Sequence, residues 1–278
     1  MPVYNTREDY LREAIDSILR QTFTDFEFII VNDGSTNPAV EKTIKSYSDT
    51  RIRYFKTPNA GIANALNYGI RKASGEFIAR MDSDDISLPA RFEKQVAFLD
   101  SNPDISIVGT DAAVFPADGF LRYDARPGYL DVMRQCPFAH PTVMWRRQDF
   151  IKHGLFYNSE HVAEDLELWS RAAKDVRFAN IQEVLLKYRM HDASLSVTLA
   201  GGNRRDTENI RNAMMDFLTR DSEIRNKIWN ILFPPPPPPP PRYWWMAIPV
   251  IKVRNKAHKK IYRLFGFIPI WVEKKKDN

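Results

Sequence analysis

The 278-residue chain has one cysteine, Cys136, so an intramolecular disulfide is excluded. That usage suits a reducing cytoplasm, with Cys136 expected to be an ordinary half-buried residue. No apolar run approaches the roughly 18 residues that a bilayer-spanning helix requires. The N-terminus also lacks the look of a secretory leader, because Met1 is followed by Pro2 and then an acidic segment, with no basic and then apolar stretch. Positive charge is scarce where it would matter for nucleic acid. The formal charge is +5, but residues 242–278 hold ten Lys and Arg against two Asp and Glu, which leaves residues 1–241 at a net −3. The basic balance belongs to the tail, and no nucleic-acid recognition pattern accompanies it. Core material is plentiful: at 44% apolar residues the chain supports one large domain, or one domain with an appendage.

Apolar periodicity alternates along the first 110 residues. "REDYLREAIDSILRQ" (7–21) places Leu11, Ile15, Ile18 and Leu19 at helical spacing. "FEFIIVND" (26–33) is a β-rich run that stops at the turn signal "DGS". A second helical stretch to about Ser48, a strand "RIRYF" (51–55) and a helix "AGIANALNYGIRKAS" (60–74) follow. The strand "GEFIARM" (75–81), the helix "RFEKQVAFLDS" (91–101) and the strand "DISIVGT" (104–110) complete the series. Such alternation predicts an α/β fold with a mostly parallel, doubly wound sheet, whose ligands bind at the carboxyl ends of the strands. Beyond residue 111 the strong elements are "HPTVMWRR" (140–147), a helix "AEDLELWSRAAK" (163–174), "LLKYRMHDASLS" (185–196) and a polar helical stretch at about 203–231.

One strand end stands out. The apolar run Phe77, Ile78, Ala79, Met81 delivers Asp82, Asp84 and Asp85 within four residues. Like charges this close repel, and at a buried strand end they are partly desolvated as well. A bare D-x-D is usually a solvated loop. An EF-hand is poorly matched, because its glycine and distant bidentate glutamate are missing. The remaining reading is a hard divalent cation that bridges a nucleotide diphosphate. A second strand-end carboxylate, Asp33, favours it.

Six blocks occur in an order that resembles family 2 glycosyltransferases: "MPVYN" (1–5), "FIIVNDGST" (28–36), "NAGIANALNYGIRKASGEFIARMDSDDIS" (59–87), "HPTVMWRR" (140–147), "EDLELW" (164–169) and "YRMHDASLS" (188–196). The resemblance covers about residues 1–200. It implies an inverting, metal-dependent hexosyltransferase-type enzyme of the GT-A fold that takes a sugar from a nucleotide-diphosphate donor, a UDP-sugar, to a hydroxyl of a saccharide or lipid-linked saccharide acceptor. By the same resemblance Pro2, Val3 and Tyr4 line the nucleobase and ribose, and Asp33 accepts from uracil or ribose. Asn59, Gly61, Arg80 and Ser83 belong to the nucleotide-sugar site, and Asp82 binds the ribose hydroxyls. Asp84 and His191 hold Mn²⁺ or Mg²⁺, and Asp165 is the base that takes the proton of the acceptor hydroxyl.

Two departures from the family pattern carry expectations. An apolar segment normally precedes "PVYN" as a central strand, whereas this chain reaches the motif at Met1. Either the start lies upstream or the sheet loses a member. Relatives also carry arginine where Leu66 stands in "ALN", which shifts a phosphate contact toward Arg80. Four divisions follow: a glycosyltransferase domain over 1–200, a helical extension over 201–233, a polyproline linker over 234–241 and a basic aromatic tail over 242–278. The eight prolines read as a stiff spacer. The tail interleaves Trp244, Trp245, Phe265 and Trp271 with Lys252, Lys259, Lys260 and Arg263, a composition that suits an anionic membrane surface. The expected location is thus cytoplasmic, peripheral on the inner face of the membrane. The rival readings are a catalytically impaired nucleotide-sugar-binding relative and a membrane-surface interaction module.

Overall fold

The computed structural model describes residues 1–191 and 200–234. The proline run beyond Pro234, the tail 242–278 and the end of the "YRMHDASLS" block lie outside the described residues. Strands β1 (Pro2–Val3), β2 (Phe28–Asp33) and β3 (Ile52–Thr57) form a parallel sheet in that order. The crossovers are α1 (Glu8–Leu19) and α2 (Pro38–Lys45). Glu8 and Asp9 sit in the first turn of α1, where the helix end favours negative charge, and Leu11, Ala14, Ile15 and Ile18 form its buried stripe. Asn37 caps α2 by accepting from the Ala39 amide at 3.0 Å, and Pro38 opens the helix. Although β1 has only two residues, it holds register with Val31 and Asn32. The carboxyl ends of β1 and β2 therefore lie side by side.

The second sheet runs β4 (Phe77–Ala79), β8 (Met144–Arg146), β6 (Ile105–Phe115), β9 (Arg177–Arg189), β5 (Ile86–Ser87), and β7 (Phe120–Leu121) pairs with β6. Within it β6 and β9 are parallel, whereas β4–β8, β6–β8, β5–β9 and β6–β7 are antiparallel. The parallel pattern expected from the sequence thus holds through β3, and the larger sheet is mixed. Apolar periodicity reports burial and not strand direction, so this part of the topology was hidden from it. One consequence matters for function. β4 and β5 occupy opposite edges of this sheet, so residues 80–85, with the three aspartates, bridge from one edge to the other.

Two apolar clusters support these sheets. One joins α1, α2 and the parallel strands to β6 through residues such as Ile30, Leu99 and Val108. The other gathers α3 (Ile62–Lys72), α5 (Tyr129–Arg134), α6 (Arg147–Lys152) and α7 (Glu164–Ala172) around Phe138, Trp145 and Trp169. Leu66 is buried here, which explains why an apolar residue serves at that position. The remaining helix of the body is α4 (Arg91–Ser101). The polar stretch near 203–231 is two helices, α8 (Ala200–Leu218) and α9 (Ser222–Leu232), with Asp221 capping the second through the amides of Glu223 and Ile224. α8 contributes Ile210, Met214 and Met215 to the same cluster as Trp169.

Candidate active site

The turn after β2 is built around Asp33. Its Oδ1 accepts from the Ala60 amide at 3.0 Å and its Oδ2 from the Gly61 amide at 2.9 Å, while Asn59 Nδ2 donates to the Asp33 carbonyl at 3.1 Å. These contacts draw residues 59–61 onto the strand end. Gly34 permits the approach: its φ is +68°, and a Cβ there would lie 2.5 Å from the Asn59 nitrogen. Asn5 ties the end of β1 to the same turn, its Oδ1 accepting from the amides of Thr36 and Asn37 at 2.9 and 3.0 Å. Tyr4 stands out from this rim, 52% exposed. The Val3 side chain, by contrast, is buried in the core. Pro2 is half-buried beside it.

The acidic segment is held from both sides by arginines. Arg80 is buried, and its guanidinium pairs with Asp82. A second buried arginine, Arg91, fixes the backbone there by donating to the carbonyls of Arg80 and Pro141, both at 2.7 Å. On the far side Arg189, at the end of β9, donates its amide to Asp85 Oδ1 at 2.7 Å and its Nε to the Asp84 carbonyl at 2.6 Å. The Arg189 guanidinium stacks between Tyr10 and Phe115, 4.0 and 4.3 Å from their ring centres, and pairs with Glu13. Ser83 and Thr6 share a hydroxyl hydrogen bond of 2.7 Å, and His191 Nε2 lies 2.9 Å from Asp84 Oδ2.

Arg80 therefore accounts for part of the charge that the sequence left unexplained, but not for all of it. Burial pushes the Asp82 carboxyl up, against the pull of Arg80 and with the help of Asp84. Asp85 is held well above the ordinary carboxylate range by burial first and by its two acidic neighbours second. Its Oδ2 is buried without a hydrogen-bond partner. Oxygen atoms of Asp82, Asp84 and Asp85 all lie within 4.8 Å of one another. A hard divalent cation fits this donor set, and it would satisfy the orphaned oxygen and lower the repulsion together.

Across from this turn, α7 opens with Glu164 and Asp165. Asp165 Oδ1 accepts from the Leu166 amide at 2.7 Å, and its Oδ2 accepts from the thiol of Cys136 at 3.5 Å. Cys136 is half-buried, as expected. Burial, then Asp165, pushes its thiol up, so it stays protonated and can donate. Glu164 is pushed up to about 8 by burial and by the neighbouring Asp165. Arg80 lies within electrostatic reach of both Asp82 and Glu164, so the ends of β4 and α7 face a common space. Tyr157 is within electrostatic reach of Arg80, Glu164 and Asp165, and its hydroxyl is 2.8 Å from His140 Nε2. Burial keeps His140 neutral and the phenol protonated. The loop with Tyr157 is fastened to α3 by Asn67, whose side chain donates to the Tyr157 carbonyl at 2.8 Å and accepts from its amide at 2.9 Å.

The structure thus gathers Tyr4, Asp33, Asn59 and Gly61 at one strand-end rim, and Arg80, Asp82, Ser83, Asp84 and His191 at the next. Sequence reasoning passed over Glu164, Tyr157 and Arg189, and read Cys136 only as an ordinary half-buried residue. Glu164 and Arg189 lay inside quoted blocks, but Cys136 and Tyr157 had no pattern around them.

A family model, Glycosyl transferase family 2, matches residues 1–156. An O-antigen biosynthesis glycosyltransferase, WbnJ, of Escherichia coli is 35% identical over 197 residues, spanning 67% of this chain and 77% of that protein. The putative glycosyltransferase EpsE of Bacillus subtilis (strain 168) is 34% identical over 200 residues, 68% of this chain and 71% of the relative. Among solved structures, S. aureus TarS 1-349 in complex with UDP-GlcNAc aligns with a TM-score of 0.68 at 18% identity, covering 83% of this chain and 69% of that one. The mannosyltransferase PcManGT from Pyrobaculum calidifontis, in complex with GDP-Man and Mn2+, aligns with a TM-score of 0.54 at 17% identity, covering 83% and 77%. At these identities the structural likeness shows the fold.

Proposed function

The chain belongs to glycosyl transferase family 2, a glycosyltransferase of the GT-A fold, and we propose that it transfers a sugar, with inversion, from a UDP-sugar to a saccharide hydroxyl. The observation that carries this reading is the convergence of two carboxylate groups on one space: the arginine-braced segment Asp82–Asp85 and the Glu164–Asp165 pair. In this proposal Tyr4, Pro2, Asp33, Asn59 and Gly61 form the nucleoside rim, with Val3 contributing through its main chain. Asp82 and Ser83 meet the ribose, and Asp84, with His191 beside it, holds Mn²⁺ or Mg²⁺. A bound divalent cation supplies positive charge next to the leaving diphosphate.

Asp165 removes the acceptor proton as the hydroxyl attacks the anomeric carbon from the face opposite the leaving group. Glu164 keeps its own proton at neutral pH, so Asp165 does not share its site with a second negative charge. The buried Arg80, charge-matched to Asp82, offsets part of the negative charge on the donor side before substrate arrives. Supporting a UDP donor and a divalent cation are neighbours whose complexes hold UDP-GlcNAc in one case and GDP-Man with Mn2+ in the other. A cell-envelope saccharide acceptor, lipid-linked and reached at an anionic membrane surface through residues 242–278, is supported by the WbnJ relative and by the tail's composition. No helix among the described residues is long and apolar enough to cross a membrane.

Calorimetry with UDP, with and without Mn²⁺, tests the donor site on the full chain and on Asp84→Ala. Binding that requires Mn²⁺ and weakens at least about tenfold in the variant is expected. Equal, metal-independent binding in both proteins would refute the assignment, and a panel of UDP- and GDP-sugars then reads donor choice through nucleotide release.

A further inference from the structure

We propose that Asp206, on α8, is a positioning residue for the Glu164–Asp165 pair. The proposal rests on the reading of Asp165 as the base. Ala163, the residue before α7, has no side chain able to cap the helix. Asp206 takes over from 43 positions away: its Oδ2 accepts from the Ala163 amide at 2.8 Å, and its Oδ1 accepts from His161 Nδ1 at 2.7 Å. A carboxylate only accepts, so the His161 proton sits on Nδ1. The first turn of α7 already carries Glu164, Asp165 and Glu167. A further carboxylate is not needed there to match the helix dipole, and beside Asp165 and Glu167 it adds repulsion. What it adds in return is geometry, because two hydrogen bonds fix the path of residues 161–163 as they enter the helix.

α8 also grips the second segment that touches the base. Arg211 donates to the carbonyls of Met133 and Arg134, both at 2.9 Å, and Tyr129 donates its hydroxyl to the Met214 carbonyl at 3.1 Å. These contacts hold both ends of α5, and its last residue, Arg134, lies two positions before Cys136. Asp165 is thus placed by its own helix at Oδ1 and by Cys136 at Oδ2, and both supports are tied to α8. The helix is itself well anchored, with Ile210, Met214 and Met215 buried. A part of the chain with no sequence motif therefore acts as the bracket that aims the base. The reacting oxygen must meet the base within hydrogen-bond reach, and displacements of about 1 Å cost up to about a hundredfold in rate.

The test uses the full chain and three variants, Asp206→Ala, Asp206→Asn and Asp165→Asn. Turnover is read as UDP release from the most active UDP-sugar of the panel with Mn²⁺, and donor-site integrity as UDP affinity by calorimetry. Asp206→Ala should lower turnover about tenfold or more while the UDP Kd stays within about twofold. Asp206→Asn keeps an acceptor for the Ala163 amide, and its NH2 group donates to His161 Nδ1 once the ring proton moves to Nε2, so it should restore most of the rate. Alkylation of Cys136, the chain's only thiol, by iodoacetamide reads the same displacement without turnover. It should speed up in Asp206→Ala at an unchanged melting temperature. Undiminished turnover, an unchanged labelling rate, failure of Asn to rescue, or a parallel loss of UDP affinity would each overturn the positioning role. Full activity in Asp165→Asn would instead overturn the base assignment. An inactive Asp165→Asn beside a fully active Asp206→Ala removes the positioning role alone.

Discussion

Glu164 makes the stability of the protein depend on pH in a defined direction. Its carboxyl moves from an ordinary 4.5 to about 8 in the folded chain, through burial first and the Asp165 charge second. Between those values the folded state holds a proton that the unfolded state has lost. Stability from this group is therefore complete at low pH, falls as pH rises, and is gone above about 8. At about 1.4 kcal/mol per pH unit the full span is about 5 kcal/mol. Glu164 is half-buried, so solvent screening reduces the fall between pH 6 and pH 8.5 to about 1–2 kcal/mol. Glu164→Gln keeps the shape and removes the titration. Urea unfolding of both proteins at pH 6 and pH 8.5 isolates the effect. His140, which burial holds neutral, acts with the opposite sign below about pH 6.5 and cancels between the two proteins, as does Asp85. The variant should gain about 0.5 M in urea midpoint relative to wild type on going from pH 6 to pH 8.5. An equal midpoint difference at the two pH values would refute the reasoning.

Two further outcomes follow from packing and from the thiol. Gly109→Ala would place a Cβ 2.3 Å from Asn180 Oδ1 and 2.6 Å from Phe138 Cδ1. Asn180 cannot retreat, because its Nδ2 donates to the carbonyls of Asp124 and Pro137 at 2.9 and 3.0 Å. A loss of about 1–3 kcal/mol in urea unfolding is expected, and a change below about 0.5 kcal/mol would contradict the contact. In the wild type, the Cys136 thiol is pushed up by burial and by Asp165, so it should react with iodoacetamide at pH 8 at least about tenfold more slowly in the native chain than in urea. Mass spectrometry of the intact protein reads this, and equal rates would show that the site does not disfavour the thiolate.

Much of the donor side was legible in one dimension because its chemistry is local. Asp33 and Asp82–Asp85 follow short apolar runs, and "DGS" marks the turn that Gly34 makes. Those features need only neighbours in sequence. Strand direction in the larger sheet was not legible, since β6 pairs in parallel with β9 and antiparallel with β8, and the apolar residues of these strands report burial and not direction. The supports of the site were also hidden. Arg189 reaches Asp84 across 105 positions and Asp206 reaches Ala163 across 43, and neither spacing carries a periodic signal. The substitution that looked like a loss, Leu66, is a core residue, whereas Asn67 beside it carries the long-range contact.

That asparagine has a further consequence. Its side-chain amide stands in for a peptide group, giving one hydrogen and taking one from the backbone of Tyr157, ninety positions away. Among the twenty amino acids, few candidates remain for such a place. Aspartate offers no donor, leucine offers neither partner, and glutamine offers both from a stem one carbon too long. Mutational drift can therefore exchange Leu66 for another apolar residue of similar volume at small cost, yet one step along the chain it meets a position with almost no neutral alternatives. The tolerance of this helix to change is set residue by residue, by what each side chain must replace in the backbone of a distant loop.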